Sequence, residues 1–255
     1  MIGMLNMLLL GDGSTNLLCE DSLEFAGHYK QGKEKDKAFP ADVFLLNPPY
    51  SVEGKGFIFV ERALEKMVEN AKKRGEKPRG RAVVIIQENA GSGNGLPYTA
   101  NILKHSSLVA SIKMPLDLFV GKSSVQTAIY VFEVGIPHSK DKLVKFIDFS
   151  NDGYTRAARK KAKASTNLRD TDHAKERYAE LVALVLGNTR KTNFYKDHYI
   201  EDTINTEGKD WTYAQHQKID TMPQMGDFKG SVAEFLAYEV SLVLKGEAGK
   251  SLTHA

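Results

Sequence analysis

The tetrapeptide Asn47-Pro48-Pro49-Tyr50 brings together three kinds of chemistry within four residues. Two successive prolines remove two backbone donors and fix φ, leaving stiff carbonyls without local partners. Asn47 adds a side-chain carbonyl beside them, and Tyr50 adds a flat aromatic face. Such a set suits a planar group bearing an NH2. The Asn47 side-chain oxygen and the Pro48 carbonyl accept the two amine hydrogens, while Tyr50 stacks on the ring. An aromatic amine is a poor nucleophile because its lone pair is delocalised. Holding both hydrogens on acceptors favours a pyramidal nitrogen whose lone pair points at an electrophile, with no strong base required before attack.

That chemistry needs a scaffold, and the sequence supplies one. Ala41-Asp-Val-Phe-Leu-Leu46, immediately before the motif, is apolar nearly throughout, as strands covered on both faces tend to be. Ligands of open α/β sheets sit beyond the carboxyl ends of the strands, which is where the motif falls. Phe57, Val60, Leu64, Met67 and Val68 recur at helical spacing, and Lys72-Lys73-Arg74-Gly75 forms a helix stop, so a helix is predicted over Phe57–Lys73. Further strands are predicted at Asn16–Glu20, Arg81–Ile86, Leu108–Met114, Val125–Phe132 and Leu143–Phe149. Helices are predicted at Tyr98–His105, Asp172–Leu186 and Ser231–Leu244. Alternating strands and helices indicate an α/β layer on a mostly parallel sheet. The division expected is a catalytic domain over residues 1–135 and an extension over 136–255, one strand followed by helices.

The chain has 255 residues, 42% hydrophobic and 26% charged, which allows a sizeable core and argues against global disorder. Its net charge of +3 is too small to identify or exclude a nucleic-acid partner. The single cysteine, Cys19, excludes a disulfide framework and fits a reducing cytoplasm. Met1–Leu10 is apolar but lacks a basic leader and a cleavage site, so it reads as a helix ending at Gly11-Asp12-Gly13, in a cytoplasmic chain without a membrane span. The seven histidines show no metal-ligand spacing, and no metal site is expected. Asp117 and Lys122 flank a structural turn. Trp211 and Tyr213, beside Gln215 and His216, read as packing residues.

The motif in this setting resembles the N6-adenine DNA methylases that use S-adenosylmethionine, specifically the modification subunits of type I restriction–modification systems. Gly80–Ile86, Ile102–His105, Ser111–Phe119, Ser124–Phe132 and Lys145–Tyr154 are similar to segments downstream of that family's motif. The resemblance implies a Rossmann-like methyltransferase fold and methyl transfer to the N6 amine of an adenine flipped out of duplex DNA. It implies Asn47, Pro48, Pro49 and Tyr50 as catalytic residues, and Asp21 and Ser22 with Asn47 as cofactor-binding residues, Asp21 reading equally as a strand-end aspartate that caps the next turn. A specificity subunit and a restriction subunit are the partners it implies. The basic run Arg156–Lys163 offers DNA contacts at Tyr154, Arg156, Arg159, Lys160 and Lys161, or else a solvated surface. In this family a glycine-rich cofactor loop and an acidic ribose-binding residue precede the motif. The sheet is therefore expected to be incomplete at its amino-terminal side, with an open edge and half a cofactor site. Gly91-Ser-Gly-Asn-Gly95 reads as a substrate-side loop or as the cofactor loop of a permuted enzyme. Two other functions stay open: a non-catalytic subunit binding DNA or a partner, and a methyltransferase acting on a glutamine or guanine amine.

Overall fold

The structure, a computed structural model, describes residues 19–30, 32–88, 93–119, 125–156, 168–218 and 223–244, with Leu9 and Gly11. The expected helix at Met1–Leu10 (Leu9 apart), the first three residues of the expected strand at Asn16–Glu20, Gly91, Ser92, Lys122, Arg159, Lys160 and Lys161 lie outside the described residues. Two compact units are present, Met1–Gln217 and Lys218–Ala255.

The first unit is built on a mixed six-stranded sheet. Its strands are β1 (Val43–Leu46), β2 (Arg81–Gln87), β3 (Ser106–Lys113), β4 (Thr127–Val134), β5 (Leu143–Asp148) and β8 (Tyr199–Thr203), in the order β1-β2-β4-β3-β5-β8. β1 runs parallel to β2, and β3 parallel to β5. β4 is antiparallel to both β2 and β3, and β8 is antiparallel to β5. Hence β1, β2, β3 and β5 point the same way, and their carboxyl ends share one edge. Two strands therefore depart from the mostly parallel expectation. After β3 the chain returns beside it as β4, with residues 114–126 between them, and pairs with it antiparallel.

Helix α1 (Phe57–Lys73) has the predicted bounds. Its stop is the Gly75 position, where φ is +73° and a side chain would be strained. Phe57, Val60, Leu64 and Met67 on its buried face pack with Ile102 and Leu103 of α2 (Leu96–Leu103) against Ala82, Val84, Ile86, Tyr130 and Phe132. Trp211 completes this layer, 5.6 Å from Phe57 and 5.5 Å from Tyr130 between ring centroids. It lies just before the short helix α4 (Tyr213–His216), which opens with a Thr212–Gln215 capping box. The opposite face buries Ala110, Ile112, Val131 and Ile147 against Leu181 and Leu184 of α3 (Ala174–Leu186).

That second cover does not reach β1. Phe44 and Leu46 pack into the first layer, whereas the alternate residues Val43 and Leu45 are 65% and 74% exposed. A strand apolar on both sides thus has one side buried among the described residues. Beyond Ile136 the described residues form four strands, since a two-stranded pair of β6 (Tyr154–Arg156) and β7 (Leu168–Asp170) accompanies β5 and β8. The second unit contains α5 (Met225–Leu244), longer than the predicted Ser231–Leu244. Phe228, Val232, Phe235, Leu236, Val240 and Val243 on it are exposed. No helix among the described residues is long and apolar enough to cross a membrane.

Candidate functional site

The motif leaves the carboxyl end of β1 and enters a left-handed turn before α1. Asn47 and Pro49 are exposed, Pro48 is buried and Tyr50 is half-buried against the first core layer. The Tyr50 hydroxyl donates to Asn47 Oδ1 at 3.0 Å, so the two polar groups of the motif are already joined. Burial pushes the Tyr50 phenol above its ordinary range, which keeps that hydroxyl a donor.

Behind the motif, Gly54, Lys55 and Gly56 hold φ values of +60°, +53° and +94°. A Cβ on Gly56 would stand 3.0 Å from both Pro48 Cγ and the Pro49 carbonyl oxygen, so only glycine lets the turn rest this close to the prolines. A Cβ on Gly54 would fall 2.5 Å from the Tyr98 ring. Tyr98 Oη donates to Glu53 Oε1 at 2.5 Å, and this bond, with a smaller burial effect, pushes the Tyr98 phenol up to about 12. The sequence reading did not single out Glu53, Gly54, Gly56 or Tyr98. Their one legible trace was the Gly-Lys-Gly triplet between motif and helix.

The same sheet edge carries more. Glu88, directly after β2, is pushed up by burial, with Asp148 adding to the rise and Lys113 opposing it. Lys113 Nζ lies 3.8 Å from Asp148 Oδ2, at the ends of β3 and β5. Tyr130 Oη donates to the Glu88 carbonyl at 2.7 Å. The edge therefore offers a carboxyl of raised affinity for protons one strand from the motif.

Asp21 and Ser22 sit on an exposed turn, where Asp21 Oδ1 accepts from the Leu23 N–H at 2.9 Å. The turn is anchored to α1, because Arg62 Nε donates to the Leu23 carbonyl at 2.9 Å. Arg62 thus ties this turn to the helix that follows the motif.

Arg156 requires a correction. Its guanidinium donates to both carboxylate oxygens of Asp152 and to Asp117 Oδ1 at 3.3 Å, with a side chain only 9% exposed. A cation so enclosed fastens the base of the β6–β7 pair to the turn after β3 and is not available to phosphates. Burial raises the Asp152 pKa, but bonds from Arg156, the Tyr154 N–H and the Tyr178 hydroxyl outweigh it and hold the carboxyl below its ordinary range. Tyr154 sits on the same pair of strands, its ring 5.9 Å from the Arg156 guanidinium carbon. Asp117 is accordingly a tether as well as a turn residue. Trp211 and Tyr213 are buried, as packing residues are. Among the described residues, no group of three or more His, Cys, Asp or Glu is arranged to hold a metal ion.

No family model matches the chain. In an alignment of 253 residues that covers 95% of the chain, it is 26% identical to the type II restriction enzyme and methyltransferase RM.BcgI of Heyndrickxia coagulans. The chain spans 36% of the length of that curated relative. Among solved structures, it is similar to the methyltransferase subunit of a type I restriction–modification system from Streptococcus thermophilus. The TM-score is 0.53 at 14% identity, over 84% of this chain and 45% of that one. A chain of another type I restriction–modification complex gives a TM-score of 0.51 at 16% identity, over 96% of this chain and 52% of that one. These likenesses agree with the fold expected from the sequence, which is that of the methyltransferase subunits of type I restriction–modification systems.

Proposed function

We propose that this chain carries the substrate-amine half of a DNA methyltransferase that modifies the N6 amine of adenine within a restriction–modification system. The observation that carries the reading is the placement of Asn47-Pro48-Pro49-Tyr50. The motif follows a parallel strand directly, at its carboxyl end, with Pro48 buried against Gly56. A flipped adenine would lay its ring on Tyr50. Asn47 Oδ1 and the Pro48 carbonyl would each accept one amine hydrogen and direct the nitrogen lone pair outward. As the nitrogen becomes cationic in the transition state, both acceptors hold it more strongly than the neutral amine, which is where the rate gain arises.

S-adenosylmethionine is the methyl donor this family implies, and when bound it supplies an electrophilic sulfonium methyl. Asn47, Asp21 and Ser22 are the residues that would hold it. Asn47 stands at the strand end, and the Asp21 carboxylate and Ser22 are solvent-accessible. Specificity and restriction subunits and duplex DNA are the partners of the same reading.

The test is methyl incorporation into adenine of duplex DNA by the full assembly, wild type against Asn47→Ala. Removing one preorganised acceptor should lower turnover about 100- to 1000-fold, on the order of 3–4 kcal/mol, while DNA affinity stays within about twofold. Unchanged turnover in the variant would overturn the assignment.

A further inference from the structure

Glycine tolerates the left-handed backbone at Gly54 and Gly56, but for Lys55 between them it is strained and persists only where the surroundings hold it. Contacts on both sides of the turn do so. On one side, the Tyr98 ring of α2 roofs Gly54, and the Tyr98 hydroxyl donates to Glu53 at 2.5 Å. On the other, Gly56 lies against Pro48 and Pro49 with no room for a Cβ. A continuous line of contacts therefore runs from α2 through Glu53 and the turn to the prolines beside Asn47.

We propose that Tyr98 and Glu53 are positioning residues for the motif. Their hydrogen bond ties α2 to the left-handed turn, and the turn sets where Pro48 and Asn47 present their acceptors. The proposal rests on the functional reading above only where turnover is the measurement. Neither residue touches the amine. Tyr98 acts through Glu53 and Gly54, and they act through Gly56. The bond is exposed to solvent, so its loss leaves the core intact and releases the loop alone.

The experiment compares wild type with Tyr98→Phe, Glu53→Ala, Glu53→Gln and the double variant Tyr98→Phe/Glu53→Ala, in the full chain and its assembly. Amide hydrogen exchange is followed over residues 47–57, alongside methylation kinetics and the unfolding midpoint. Losing one neutral-to-charged bond should speed exchange in this segment by about 10- to 150-fold. Displacing the acceptors by a fraction of an ångström should lower kcat by about 10-fold, with KM for DNA within about twofold. Glu53→Gln keeps an acceptor and should recover most of both losses. The double variant should match the single ones, because all of them break the same bond. Unchanged exchange in Tyr98→Phe overturns the brace. Faster exchange with unchanged kcat overturns the positioning role. Faster exchange in variants of a wild type that shows no methylation upholds the brace and sinks the methyltransferase reading instead.

Discussion

The hydroxyl of Tyr50 occupies the oxygen that the substrate amine is proposed to use, which makes Tyr50→Phe an informative perturbation. Tyr50 Oη donates to Asn47 Oδ1 at 3.0 Å in a solvent-exposed setting. A neutral hydrogen bond of this kind contributes about 0.5–1.5 kcal/mol net. An incoming amine that takes the same lone pair displaces it, and the resting contact then opposes capture by up to that amount, roughly 2- to 10-fold in affinity. Phenylalanine retains the stacking face and removes only the competitor. Apparent KM for adenine in duplex DNA should therefore fall about 2- to 10-fold in Tyr50→Phe, with kcat within about twofold. Tyr50→Ala should do the opposite, because it removes a platform worth roughly 1–3 kcal/mol per base. Because burial holds the phenol above its ordinary pKa of 10.0, the Tyr50 contact persists across pH 7–9, and the difference between variants should not vary over that range. Steady-state methylation at several DNA concentrations reads all of this. A raised KM in Tyr50→Phe, or a kcat loss above tenfold, would refute the reasoning, since either shows the hydroxyl assisting the reaction.

Arg156→Met should destabilise the first unit by roughly 3 kcal/mol or more in urea unfolding, because it leaves the Asp152 carboxylate buried without its cation. Asp152 itself titrates lower in the folded chain than its ordinary 3.8, so its contribution is complete above that value and lost as pH falls through the depressed folded pKa. In Asp152→Asn this acid-limb slope should flatten, as unfolding free energy measured from pH 6 down to pH 2.5 would reveal. Neutralising Arg159, Lys160 and Lys161 together should reduce the slope of log affinity against log salt by up to about 3 while leaving kcat alone. An unchanged slope returns the run to plain surface.

The parts of this fold legible in the sequence are those set by short-range pattern. The run Val43-Phe-Leu-Leu46 announced a strand, the spacing from Phe57 to Val68 announced α1, and Gly75 marked its end. The insertion of β4 between β2 and β3 left no such trace, because strand order is decided by long-range pairing and not by periodicity. β6 and β7, three residues each, are too short to carry a pattern. The reading of α5 began late because Gly226 and Gly230 each cost a helix about 1 kcal/mol relative to alanine, and propensity stops there. At the site, Asn47-Pro48-Pro49-Tyr50 was visible as a unit of four. Glu53 and Tyr98, 45 residues apart, meet only once α2 is laid beside the turn. Arg156 looked like one more member of a basic run, and a partner four residues earlier, Asp152, changed its role.

β1 also governs how the purified protein will behave in a tube. It is the edge strand of the sheet as described, four residues long, with Val43 and Leu45 turned to solvent. Among the described residues no strand pairs with its outer edge, and backbone donors there, beside bare aliphatic side chains, form a template onto which another extended chain can add. Concentrated samples should accordingly scatter more light with time, and warming should speed this because apolar association strengthens with temperature near ambient. A lysine at position 45 would place a charge on that open face without entering the packed layer formed by Phe44 and Leu46. It is the substitution that should keep the sample clear while the unfolding curve stays where it was.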